Sequence, residues 1–292
     1  MSVARGVGDG WRVGRPRPVG DLSSLFDRLR AEAGGASVAL GADLPIGVPR
    51  AYAVLRPEQD FRDFLARTSG WPDFYRVCAS LDELSLERPF YPARGIKGMT
   101  RAAHAAALGL GGPAGLSRAC DRATGERPAG APLFWTLGAN QTGKAAITAW
   151  RDMLVPALDP VRLWPFDGNF RALLAPGAIV IAETYPAEAM RHLNIPTKGS
   201  KRRQSDRAAV ADALLAAMAH LRVVPDSEME AAVRDGFGPD AAGEDRFDCV
   251  LGLLCVINVL AGNRPDGTPP DPWLTRWEGW VLGQTALPAN GG

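Results

Sequence analysis

Three carboxylates stand at the ends of apolar segments. Ile179-Val180-Ile181 is an apolar β-branched run that delivers Glu183 at its end, with Pro186 closing the strand. Ala36-Ser-Val-Ala-Leu-Gly-Ala-Asp43 has the same form, with Asp43 at its end and the proline- and glycine-fixed turn Leu44-Pro-Ile-Gly-Val-Pro49 behind it. Asp248 opens a third apolar stretch that runs to Leu260, with Asp245 one helical turn before it and the small Gly252 one turn after. A carboxylate is costly to bury unless it is paired or binds a metal. Two strand acids and one helix acid can together hold one or two hard divalent cations, Mg²⁺ or Mn²⁺, through oxygen. Two such ions about 4 Å apart activate water and stabilise the leaving oxygen in phosphodiester hydrolysis. Asp43, Glu183 and Asp248 are therefore the candidate catalytic metal ligands. Asp245 is a secondary candidate, because a helix dipole alone accounts for an acid at its position.

Two further segments could bind phosphate. The polar loop Thr197 to Asp206 carries the densest basic cluster in the chain, and Lys201, Arg202 and Arg203 are its candidate contacts to substrate phosphates, with nucleic acid as the possible partner. Gly138-Ala-Asn-Gln-Thr-Gly143-Lys144-Ala145 is one residue short of a phosphate-binding P-loop. An expected strand, Leu133–Leu137, precedes it and an expected helix, Ala145–Leu158, follows. Ala145 lacks the hydroxyl that would hold Mg²⁺, yet a glycine-rich helix entry can bind an anion through free N–H groups. Gly138, Gly143 and Lys144 thus carry an alternative reading, a nucleotide-binding protein or NTPase. A third reading is a non-catalytic interaction protein that keeps the fold. Gly109 to Gly115 superficially matches a dinucleotide fingerprint, but no strand precedes it and Pro113 interrupts it. Cys78, Cys120, Cys249 and Cys255 show no Cys-x-x-Cys spacing, and His104, His192 and His220 form no ligand pair, which argues against a disulfide framework or a zinc site.

The elements that must position these groups belong to an α/β chain. The N-terminus reads as a β-hairpin, Met1 to Arg5 and Trp11 to Gly14 around Gly6–Gly10. A helix capped by Asp21 follows, then the Asp43 strand. Residues 56–132 carry short helical patterns and no clear strand, and read as a helical insertion over the sheet, with Arg94, Lys97 and Arg101 as solvated charges. Val161 to Pro165 is a further strand ahead of the Glu183 strand. A long helix from a Ser205 or Asp206 cap to Leu221 and an apolar helix from about Gly243 to Leu260 come next. A Pro/Trp-rich tail, about 263–292, is expected to wrap the body. The whole, 1–292, reads as one domain. The formal net charge of +1 excludes a strong global field for nucleic acid or membrane, so any polyanion site is local. All but four of the 33 basic residues are arginine, a bias that suggests a GC-rich bacterial genome. The absence of a long apolar run or a signal-peptide core gives the expectation of a cytoplasmic protein with no membrane association.

Five segments, in order, resemble the motifs of a family of predicted ribonuclease H-like nucleases, domain of unknown function 429. They are Gly41 to Pro49, Leu163-Trp-Pro-Phe-Asp-Gly168, Ala182-Glu-Thr-Tyr-Pro186, Asp245-Arg-Phe-Asp-Cys249 and Glu278-Gly-Trp-Val281. The resemblance implies a ribonuclease H-like fold, with a mixed five-stranded sheet, a three-stranded meander first and helices on both faces. It also implies that Asp43, Glu183 and Asp248 line a divalent-metal site, and that Gly138 to Trp150 is the family's glycine-rich loop before a helix. It further implies a first strand ending in a metal-binding Asp. Met1 falls within what would be the second strand, and Asp9, in the hairpin turn, does not fit that role. The expectation is a misplaced start to a longer chain, because loss of a central strand would leave its neighbours' backbone groups unpaired. Without that Asp, the chain as given would be inactive.

Overall fold

In the computed structural model, which describes residues 1–138 and 141–288, the hairpin forms as expected. β1 (Ala4–Val7) and β2 (Gly10–Val13) pair antiparallel around Gly8-Asp9, with Gly8 at φ 61° as such a tight turn requires. α1 (Leu25–Ala33) begins later than an Asp21 cap predicts. Asp21 instead closes its own turn, accepting from the Ser23 N–H at 3.1 Å and the Ser23 hydroxyl at 2.6 Å. β3 (Val38–Ala42) then leads directly to Asp43.

The insertion holds α2 (Arg50–Ala53) at its threshold, then α3 (Phe61–Thr68) and α4 (Arg101–Ala107), capped by the Asp60 and Thr100 side chains. Leu81–Glu83 makes a single 3₁₀ turn. Leu133–Leu137, expected as a strand, makes only an isolated parallel bridge, Tyr91 to Trp135. Leu133 and Phe134 are drawn into the aromatic core of the insertion with Phe61, Phe64, Phe74 and Phe90, so no sheet neighbour is available to them. The following helix starts earlier than expected, as α5 (Thr142–Ile147). It widens into a π-helical stretch, Thr148–Leu154, and ends in a 3₁₀ turn, Val155–Ala157, where Pro156 lacks the N–H to continue the ladder.

β4 (Val161–Leu163), β5 (Ile179–Glu183) and α6 (Pro186–His192) follow the expected order. The long helix expected up to Leu221 is two, α7 (Gln204–Ala208) and α8 (Ala211–His220). Asp206 does not cap it; its carboxylate turns back to accept from the Ser200 N–H at 2.8 Å and folds the basic loop. β6 (Val223–Pro225) and α9 (Ser227–Arg234), the latter capped by Asp226, were not expected. α10 (Ala242–Leu260) matches its expected span within a residue or two.

The fold is α/β with a mixed sheet. β1-β2-β6 combines an antiparallel and a parallel pairing, and β3-β5-β4 is parallel throughout. These are two three-stranded sheets, where the resemblance implies one of five strands. β5 is central in its sheet and buried along its whole length, as a continuous apolar strand must be. Its period of two divides it between two cores: Ile179 and Ile181 face the insertion, while Val180 and Ala182 face Trp164, Phe170, Val256 and Trp280. The tail packs as expected, with Trp277 and Trp280 buried and Trp273 stacked under the Arg50 guanidinium. Val281 bridges β5 at Glu183, and the Leu282 N–H donates to the Glu183 carbonyl. Among the described residues no helix is long and apolar enough to cross a membrane.

Candidate functional site

Parallel pairing places Ala42 opposite Glu183, so Asp43 and Glu183 emerge at the same carboxyl end of two neighbouring strands. That end is where an open α/β sheet holds its ligands. α10 crosses it at close range because two glycines permit the approach. A Cβ at Gly41 would lie 2.8 Å from both Thr184 Cγ2 and Val256 Cγ2, and one at Gly252 would lie 3.1 Å from Thr184 Oγ1. Asp248, one turn before Gly252, is thereby aimed at the strand ends. The three acids line one cleft of ≈ 660 Å³, together with Glu244, Lys201 and Lys144 and with Arg118 and Arg127 from the insertion.

Glu183 is paired. Arg118, 1% exposed, donates through Nη1 to Glu183 Oε2 at 2.6 Å and through Nη2 to Oε1 at 2.7 Å. The other edge of the same guanidinium grips Asp121, from Nε at 2.8 Å and Nη2 at 2.9 Å. The Ile46 N–H also donates to Glu183 Oε2, at 2.8 Å. Burial pushes the Glu183 carboxyl up, and Arg118 works against that shift. Cys120, Asp121 and Glu183 bring ligand atoms within 4.8 Å of one another. This corner does not fit a hard cation: the Arg118 guanidinium already takes both oxygens of each carboxylate. Burial also pushes the Cys120 thiol far above its ordinary range, away from the thiolate that ligates metal.

Asp43 and Asp248 form the open side. Asp43 is exposed to the cleft, and its surroundings push its carboxyl up to about 7. Burial is the largest cause, the Asp248 charge adds to it, Lys201 opposes it, and Glu183 adds a smaller push. Asp248 is raised by burial, against Lys201, whose Nζ donates to both Asp248 oxygens at 2.7 Å; Glu244 and Asp245 raise it further. Carboxylate oxygens with no histidine among them fit Mg²⁺ or Mn²⁺ better than zinc.

The other candidates fall elsewhere. Asp245 is exposed and lies outside the cleft wall; Glu244, one residue earlier, takes its place there. Arg202 and Arg203 are exposed and also lie outside the lining, with Arg202 reaching only to Glu244 at 4.0 Å. Lys201 is the one member of that basic trio in the cleft, and its charge is held by Asp248. The P-loop reading lacks its strand. Gly138 is not in the cleft wall, and Gly143 packs under Trp135, whose carbonyl oxygen a Cβ would meet at 2.8 Å; Ala139 and Asn140 lie outside the described residues. Lys144 does face the cleft. Sequence reasoning missed Arg118, Asp121 and Arg127. The one signal was indirect: a buried strand-end Glu requires a partner. No protein-family model matches the chain, and neither a curated protein nor a solved structure matches it.

Proposed function

We propose that the chain is a divalent-metal-dependent phosphodiester hydrolase of ribonuclease H-like type, with Asp43 and Asp248 as the principal ligands of Mg²⁺ or Mn²⁺. The observation that carries this reading is the convergence of these two acids in one cleft, where Asp43 is exposed to the cavity and its carboxyl is raised by its surroundings and by the Asp248 charge. Neighbouring carboxylates that repel one another are relieved by a divalent cation. The fold-level part rests on the ordered motifs and on the parallel β3–β5 pair, whose two strands both end in acids. Fold alone does not fix activity.

A bound ion would supply Lewis acidity toward a phosphoryl oxygen and lower the pKa of a water. The chain's own residues do the rest. Asp43 and Asp248 would hold the ion, and Lys201, whose Nζ now donates to both Asp248 oxygens, stands in the same cleft as a cation for a phosphate. Glu183, its charge compensated by Arg118 and one oxygen held by the Ile46 N–H, gives the cleft a rigid floor.

Titration of the chelator-treated protein with Mn²⁺, followed by calorimetry and by the electron-paramagnetic-resonance signal of free Mn²⁺, tests the reading. Asp248→Asn and Asp43→Asn should each weaken binding by about tenfold or more. Mn²⁺ binding that is unchanged in both variants would overturn the proposal. No binding to the wild-type protein would leave the non-catalytic interaction protein standing. Hydrolysis of bis(p-nitrophenyl) phosphate should depend on the same two acids.

A further inference from the structure

Four cationic side chains line the cleft, and three are committed to carboxylates. Arg118 is shared by Asp121 and Glu183, Arg127 lies 3.5 Å from Glu188, and Lys201 bridges Asp248. Among the described residues the fourth, Lys144, has no carboxylate in salt-bridge reach and is exposed to the cleft. It stands on α5 beside hydroxyl and amide groups of Gln141, Thr142 and Thr148, which line the same wall. Asp43, Asp248 and Glu244 line the cleft too, so the cavity has an acidic set and a cationic wall with hydrogen-bond donors. That wall is rigidly registered to Asp43. The Trp150 indole, fully buried on the continuation of α5, donates to the Pro45 carbonyl at 2.9 Å, two residues beyond Asp43.

We infer that Lys144, with the hydroxyl and amide groups beside it, is the substrate's phosphate-oxygen subsite, and that the ligand class is a phosphate mono- or diester anion spanning from this wall to the acids. The inference rests on the hydrolase reading for the identity of the acid pole, and it takes over the role expected of Arg202 and Arg203. An ammonium with no internal partner can pair with an incoming anion without first breaking an ion pair. Arg118 would have to leave the buried Glu183 with no charged partner, which costs several kcal/mol, and Arg127 would have to leave the Cys120 carbonyl and Gln284 Oε1, to which it donates inside the fold.

The test uses the full chain, inorganic phosphate and Mn²⁺. Phosphate binding is read from ³¹P line broadening in metal-free protein, and its position from the added relaxation when Mn²⁺ is present. Lys144→Met should weaken phosphate by about tenfold or more, the loss of one charged hydrogen bond. Lys144→Arg should restore most of it, and Mn²⁺ affinity should be unchanged in both. Arg202→Met/Arg203→Met should leave phosphate binding as in the wild type. Phosphate binding that survives Lys144→Met, or that is lost equally in the double arginine variant, overturns the inference, as does failure of the wild-type protein to bind phosphate. If Mn²⁺ fails to bind while phosphate still depends on Lys144, the metal reading falls and the anion subsite stands. Because Lys144 is exposed, an unchanged melting temperature will separate lost binding from lost folding.

Discussion

Asp43 ties the site to pH. In the metal-free protein its folded-state value of about 7 lies above the 3.8 of an unperturbed carboxyl, so the folded state holds the proton more tightly than the unfolded state does. The contribution to stability is therefore full below about pH 4, declines as pH rises toward 7, and is flat beyond. Melting temperatures of chelator-treated wild type and Asp43→Asn, measured from pH 4 to 8, should diverge over that window, with the variant the more stable at the alkaline end. Mn²⁺ should raise the wild-type melting point more at pH 8 than at pH 5, since ligation needs the ionised carboxylate. Parallel profiles would show that Asp43 titrates like a surface acid. Arg118 makes the complementary case. Arg118→Met strands Glu183 with a single backbone donor and should cost about 3–5 kcal/mol in chemical denaturation. Adding Glu183→Gln should recover part of that loss. The need for a partner at Glu183 was legible from its place at the end of a buried strand. Which residue would supply it was not, because Arg118 lies 65 residues away in a Gly-, Pro- and Ala-rich stretch with no periodicity to fix its direction.

At the scale of elements, legibility follows pattern length and burial. β5 and α10 bury apolar runs and β3 half-buries one, and each lies close to where the sequence puts it. β6 has three residues and α9 a polar outer face, so neither leaves a pattern strong enough to separate from a loop. Leu133–Leu137 has the composition of a strand, but the aromatic core of the insertion claims its side chains. The crossing of α10 over β3 depends on spaces rather than patterns, and Gly41 is its tightest point. Gly41→Ala places a methyl 2.8 Å from Thr184 Cγ2 and Val256 Cγ2, an overpacking that should cost about 1–3 kcal/mol. Val256→Ala removes one of the two obstructions. A double-mutant cycle should therefore show the pair less destabilised than the sum of the singles. Strict additivity would mean that the helix rides farther from the strand than these contacts imply. Because Asp248 sits on the same helix, Gly41→Ala should also weaken Mn²⁺ binding although it touches no ligand.

The whole molecule is held by two elements that each serve more than one core. β5 divides its alternate side chains between the insertion core, through Ile179 and Ile181, and the tail core, through Val180 and Ala182. α10 gives Phe247, Leu251 and Leu254 to the core under α8 and α9, and Val256 and Val259 to the tail core. Any one core that came apart would strip a face from β5 or α10 and expose apolar surface belonging to another. The insertion of residues 56–132 therefore should not unfold as a separate unit, and neither should the tail, whose Val281 bridges β5 at Glu183. The consequence is a single transition in denaturant, coincident for far-ultraviolet dichroism and for tryptophan reporters in different cores. Trp150 reports the insertion core, Trp280 the tail core, and Trp11 the edge of the third. Trp280→Phe and Trp150→Phe variants would assign the fluorescence change, and both should keep the common midpoint of their own dichroism curve. Two separated midpoints, with the Trp150 signal moving first, would instead make the insertion an independent lid. The cleft would then owe its Arg118 clamp to a part that can lift away.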